Sequence, residues 1–241
     1  MKIIGGACWG LIPARGGSKS IPLKNLVPFA GRPLLDYQVL AARASDRVER
    51  LICSTDDDRI AGHCAELAVE VHRRPAELAT DDTPVLAVIE HLLGDLAERE
   101  GTVAECLALL QPTSPFLLAE QVRATVDALL ADPAAASAQT VIACPHNHHA
   151  LNQRLVRDGR VSFRFAEERS KAYNKQSKER HFLFGNLLVF RCQAALEQQT
   201  PFPGPSLAVE IPQFQGFDLD GPDDLRLGQA LLDAGLAHLP E

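Results

Sequence analysis

The sequence predicts an α/β protein organised on a mostly parallel sheet, and three observations carry that expectation. Short apolar runs bounded by turn residues alternate with segments of helical periodicity, the pattern of strands joined by crossover helices. The first run, residues 3–14, leads into a loop that packs Gly16, Gly17 and Ser18 among Arg15, Lys19 and Lys24. At 241 residues, 46% hydrophobic and 23% charged, the chain is long enough for one large domain with its own core.

Residues 7–13 read as a short buried strand with the glycine-rich loop at its C-terminal end. Over residues 33–44, Leu34, Leu35, Val39, Leu40 and Ala42 recur at helical spacing, and Pro33 suits a first helical turn. Residues 50–54 form the second strand. Asp56, Asp57 and Asp58 follow it and lead a helix through Leu67; three adjacent carboxylates fit either a helix start, which the dipole favours, or a cation site.

Residues 70–72 give a short strand and residues 73–81 an irregular loop. Asp82, Thr83 and Pro84 then offer a cap and a first-turn proline for a helix to about Glu100. Residues 106–110 are the next strand, which ends in Gln111-Pro112-Thr113-Ser114-Pro115. A helix over residues 118–130 puts Val122, Val126, Leu129 and Leu130 on one face, and residues 140–144 return as a strand. In such a sheet, ligands bind beyond the C-terminal ends of the strands.

Beyond Pro145 the texture changes. His146, His148 and His149 cluster, as a metal site or as structural histidines, and residues 155–165 predict a hairpin turned at Asp158-Gly159. Residues 167–180 are highly charged and nearly devoid of large apolar side chains, so they read as an arm that needs a partner surface. Residues 182–190 resume a strand-like run with Gly185 and Asn186 inside it. Residues 207–211 predict another strand, 217–220 a strand end and 223–236 a closing helix.

The net charge of −7 gives no support to nonspecific binding of nucleic acid or of an anionic membrane surface. An anionic ligand must therefore be held by local cations. Arg15, Lys19 and Lys24 are such a placement, and consecutive glycines let backbone N–H groups converge on an anion, although the same residues also fit an ordinary turn with surface cations. The loop matches neither the Walker pattern nor the dinucleotide fingerprint.

Asp218 and Asp220, as alternate strand residues, would point the same way and offer two hard oxygen ligands to one ion; the other reading is an acidic segment before a helix. Six cysteines are scattered without a C-x-x-C pair, which suits buried thiols in a reducing cytoplasm. The N-terminal apolar segment is too short and glycine-rich for a signal peptide, and no run reaches the roughly 20 apolar residues of a membrane span.

Five stretches, residues 12–25, Ser54-Thr55-Asp56, Arg74-Pro75-Ala76-Glu77-Leu78-Ala79 with Asp81, residues 110–115 and Asp218-Leu219-Asp220, resemble in order and spacing the motifs of the CMP-sialic acid synthetase (acylneuraminate cytidylyltransferase) family. The resemblance implies a three-layer Rossmann-like nucleotidyltransferase fold. It implies a single domain over residues 1–241, with a protruding dimerisation arm at about residues 150–181 and a homodimer.

It further implies transfer of CMP from CTP to the hydroxyl of an acidic sugar, a sialic acid-like nonulosonate, with release of pyrophosphate. Arg15, Gly16, Gly17, Ser18, Lys19 and Lys24 would hold the triphosphate, with Arg15 and Lys24 catalytic. Asn25, Arg74 and Thr83 would lie near the nucleotide, and Gln111, Asn152 and Lys175 on the acceptor side. Asp218 and Asp220 would bind Mg²⁺.

The departures are on the acceptor side. Where the family commonly carries Arg-x-Asn-Gly this chain has Leu183-Phe184-Gly185-Asn186, and Asn152 stands where a Lys is frequent; Lys171, Lys175 and Arg180 are nearby cations. Two alternatives stay open. One is activation of a different acceptor, such as 3-deoxy-manno-octulosonate or a phosphonate; the other is a nucleotide-binding protein without turnover.

Overall fold

The computed structural model describes residues 2–171 and 179–241. In chain order the main elements are β1 (Lys2–Pro13), β2 (Pro28–Phe29), β3 (Arg32–Pro33), α1 (Leu34–Ala44), β4 (Arg50–Thr55), α2 (Asp58–Glu66), β5 (Glu70–Arg73), α3 (Val85–Glu100) and β6 (Thr102–Leu109). There follow α4 (Ala119–Ala131), β7 (Ser137–Ala143), β8 (Arg154–Arg157), β9 (Arg160–Phe163), α5 (Ala166–Lys171), β10 (Phe182–Arg191), α6 (Cys192–Gln198), β11 (Ser206–Glu210) and α7 (Pro222–Asp233).

Seven strands form one sheet in the order β11-β7-β10-β6-β1-β4-β5. Its pairings are parallel except at β10, which runs antiparallel to both β6 and β7. Helices cover both faces, giving three layers. Along β1, Cys8 and Ile12 pack with α1, α2 and α4 on one face, while Trp9 and Leu11 pack with α3 and α6 on the other. On β10, Leu187 and Val189 alternate with Leu188 and Phe190 in the same way. Burial on both faces is why these strands are continuous apolar runs rather than alternating ones.

The first strand is longer than its sequence suggests. Gly5 and Gly6 sit where the register between β1 and β6 slips, Gly6 has φ +76°, and its N–H donates to Glu105 Oε2 at 2.7 Å. This bulge hides the strand's beginning from pattern reading. The hairpin of β8 and β9 turns where expected: Asp158 (φ 49°) and Gly159 (φ 71°) both take the positive φ of a type I′ turn. Cross-strand partners Val156 and Val161 on it are 70% and 66% exposed.

Two expectations are corrected. Residues 217–220 are not a strand end: they follow a 3₁₀ turn at Gln213–Gly216 and join no sheet, although Leu219 is buried between exposed Asp218 and Asp220 as alternation requires. Thr83 does not cap α3. Pro84 occupies that position, and the Thr83 hydroxyl instead meets Thr80 Oγ1 at 2.7 Å.

All six cysteines are free and five are buried, with Cys144 partly exposed. Burial pushes the Cys106 and Cys192 thiols up to about 12, so they are inert apolar filling. Among the described residues no helix is long and apolar enough to cross a membrane.

Candidate active site

Successive strands leave β1 in opposite directions: β4 and β5 extend the sheet one way, and β6 lies on the other side. The loops after β1 and β6 therefore diverge and open a crevice at the strands' C-terminal ends. A cleft of about 430 Å³ lies there, lined by Arg15, Ser18, Lys19, Lys24, Asn25, Gln111 and Asp220 among others.

The glycine-rich loop is held from beneath. Gly16 N–H donates to Asp56 Oδ1 at 2.9 Å, and a Cβ on Gly16 would sit 2.5 Å from Asp57 Oδ2, so no larger residue fits that approach. The buried Asn25 amide donates to the Arg15 carbonyl at 2.9 Å, which fixes the start of the loop rather than reaching into the cleft with that nitrogen. Leu23 bends the exit with φ 51°.

The acidic triplet resolves into three separate tasks. Asp56 holds Gly16; Asp57 caps α2 by accepting from the Arg59 and Ile60 amides at 2.8 and 3.3 Å; Asp58 pairs with Arg73 at 2.7 Å. The helix-start reading therefore holds for Asp57, while Asp56 and Asp58 brace neighbouring segments.

All three loop cations already face carboxylates. Arg15 pairs with Asp81 at 2.5 Å, Lys19 pairs with the other Asp81 oxygen, and Lys24 Nζ lies 3.3 Å from Asp220 Oδ1 and donates to the Leu219 carbonyl at 3.2 Å. Lys19 and then Arg15 hold the Asp81 carboxyl below the usual carboxylate range. Leu219 N–H donates to the Thr113 carbonyl at 2.7 Å, which ties the Asp218–Asp220 segment to the loop after β6.

Asp218 is solvent-accessible at its edge yet sits close enough to surrounding protein that burial raises its pKa; the Asp220 charge raises it further, against the Thr113 hydroxyl and Lys24. A carboxyl whose charge a neighbouring carboxylate disfavours is relieved by a divalent cation, and oxygen donors of this kind fit Mg²⁺.

Arg74 and Thr83 line an adjoining hollow of about 290 Å³ that shares Pro13 and Arg15 with the cleft. Arg74 is 7% exposed and donates to the Ser54 carbonyl at 2.7 Å and to Ser54 Oγ at 3.2 Å.

Of the acceptor-side residues among those described, Gln111 lines the cleft. Asn152 does not: its Nδ2 donates to the His146 carbonyl at 2.5 Å and its Oδ1 accepts from Arg169 at 2.5 Å. Lys175 lies outside the described residues. His149 stacks on His181 with ring centroids 3.9 Å apart, accepts from Leu151 N–H at 3.1 Å and meets the Glu179 carbonyl at 3.1 Å, so it braces the base of the arm.

In the reversed Gly185-Asn186 pair, a Cβ on Gly185 would lie 2.9 Å from the Thr140 backbone. The Asn186 side chain is saturated by Thr140, Gln121 and the Gln215 carbonyl. Gln38, which pattern reading passed over, donates from within the core to the Ser114 carbonyl at 2.8 Å and steadies the loop after β6. Its one signal was a polar residue between the apolar positions Leu34, Leu35 and Val39 of a core-facing helix.

Comparison with known proteins is consistent with this geometry. The sequence pattern of the family described as Cytidylyltransferase matches residues 9–191. Over 106 residues the chain is 38% identical to an N-acylneuraminate cytidylyltransferase of Escherichia coli, a match that covers 44% of this chain and 24% of that one. Over 118 residues it is 36% identical to a CMP-N,N'-diacetyllegionaminic acid synthase of Legionella pneumophila, covering 48% and 50%. The matches thus span about a quarter and a half of those relatives' lengths. A solved CMP:2-keto-3-deoxy-manno-octonic acid synthetase complexed with CTP shares the fold, with TM-score 0.69 and 17% identity over 95% of this chain and 99% of that one.

Proposed function

The chain belongs to the cytidylyltransferase family, and we propose that it transfers CMP from CTP to the hydroxyl of an acidic sugar of the nonulosonate class. The observation that carries the reading is the convergence of Arg15, Lys19, Lys24 and Asp220 on one cleft at the point where the strand order reverses.

In this reaction the acceptor oxygen bonds to the α-phosphorus of CTP while the bond from that phosphorus to the β-phosphate oxygen breaks, and pyrophosphate leaves. The triphosphate takes over Arg15 and Lys19 from Asp81, and Lys24 turns from Asp220 to the phosphates. These cations neutralise the charge that builds on the leaving group, and the constrained loop holds the phosphates in line. Arg74 and Thr83 frame the adjoining hollow for the nucleoside. Mg²⁺ on Asp218 and Asp220 would supply further charge neutralisation at the phosphates.

Gln111 meets the acceptor from the cleft wall, while Asn152 supports the arm's base through Arg169. The exposed apolar side chains Phe182, Leu183 and Phe184, with Val156 and Val161 on the hairpin, suit cover by a second copy in a homodimer. Buried free cysteines suit a reducing, cytoplasmic setting.

The direct test is pyrophosphate release from CTP and Mg²⁺ over a panel of sialic, legionaminic, pseudaminic and 3-deoxy-manno-octulosonic acids and phosphonates. Release with a nonulosonate is expected. Tight CTP binding with no release for any acceptor would replace the enzyme by a nucleotide-binding protein.

A further inference from the structure

We propose that His72, His91 and Asp95 form a binding site for a divalent transition-metal ion of the zinc class, separate from the carboxylate pair of the cleft. His72 stands on β5 at the sheet's edge, and His91 and Asp95 lie one helical turn apart on α3, so the three meet where helix and strand pack. One ligand atom from each lies within 4.8 Å of the others. The two imidazole rings are 4.7 Å apart, and His72 Nε2 is 2.9 Å from Asp95 Oδ2.

A second observation points to a ligand. The Nδ1 atoms of His72 and His91 are both buried without a hydrogen-bond partner, and His72 is only 4% exposed. Buried polar atoms are nearly always paired, so the orphan Nδ1 of His91 has a ligand to gain, and His72 Nε2 and Asp95 Oδ2, 2.9 Å apart, stand at the spacing of two ligands on one ion.

Two imidazoles and one carboxylate suit Zn²⁺ rather than Mg²⁺, and three protein ligands leave one position for water. Asp95, with its side chain 42% exposed, gives the ion a way in. Such an ion would join β5 to α3 and close the connection that carries Arg74, Asp81 and Thr83.

The test uses the full chain, stripped with chelator and titrated with Zn²⁺ alone by calorimetry, with Co²⁺ visible absorption as a second probe. One equivalent is expected to bind and to raise the thermal midpoint. His91→Gln and Asp95→Asn should each weaken binding by at least about tenfold and abolish that rise. Circular dichroism and Mg²⁺-dependent pyrophosphate release should stay unchanged in both. Absence of stoichiometric binding would overturn the proposal, and so would one equivalent bound equally well by both variants.

Discussion

Asp81 accepts an ion pair from Arg15 at 2.5 Å and holds Lys19 through its other oxygen, so one carboxylate occupies two of the cations that the cleft offers an anion. On the proposed reading, Asp81 holds the place of a phosphate. We expect Asp81→Asn to lower the Kd for CTP by roughly two- to tenfold, measured by calorimetry with CTP and Mg²⁺. Weaker CTP binding would show that Asp81 orders the loop instead of competing for it.

Asp220 has a side chain 79% exposed and no packing role, so its removal tests chemistry without testing the fold. Asp220→Ala should leave the circular dichroism and thermal midpoint in place and reduce kcat on the order of a hundredfold or more. Normal turnover in this variant would refute the metal assignment.

Asn186 separates a structural role from an acceptor-binding one. Its side chain spans Thr140, Gln121 and the Gln215 carbonyl in the buried interior. Asn186→Ala strands those partners, and we expect a loss of roughly 1–3 kcal/mol in urea denaturation. The KM for the acceptor should not change at a temperature where the variant is folded.

Asp57 gives a pH signature. The Arg59 side chain, with help from the Arg59 and Ile60 amides, lowers its carboxyl from 3.8 to about 2. A carboxyl more acidic in the folded state stabilises fully above its unfolded pKa and loses that contribution as pH falls through the folded value. Wild type should therefore exceed Asp57→Ala by roughly 0.5–2 kcal/mol at neutral pH, and the gap should close as pH falls from about 4 to about 2. Denaturation curves across that range measure it.

The parallel core was legible because strands buried on both faces are written as apolar runs, and the loop after β1 because glycine and cations are rare together. The direction of β10 was not, since an antiparallel strand between buried faces has the same composition as a parallel one. Helix α6 escaped because β10 runs straight into it at Arg191 and Cys192 with no intervening turn residue. The grip of Asp81 on Arg15 and Lys19 is a contact between distant parts of the chain and leaves no local mark; Asn152 read as acceptor-facing because it stands where the family frequently has Lys, and its bonds to His146 and Arg169 show only in the folded chain.

The sheet order also makes the chain divisible. Strands β6, β1, β4 and β5 come from residues 2–109 and strands β10, β7 and β11 from residues 137–210, and the two groups meet along the four residue pairs between Cys106–Leu109 and Leu188–Arg191. The glycine-rich loop lies wholly in the first group, so a change in the second reaches it only across that seam. The segment at residues 218–220 crosses back over that seam: it follows β11 in the chain, yet its bonds run to Lys24 and to Thr113 in the loop after β6.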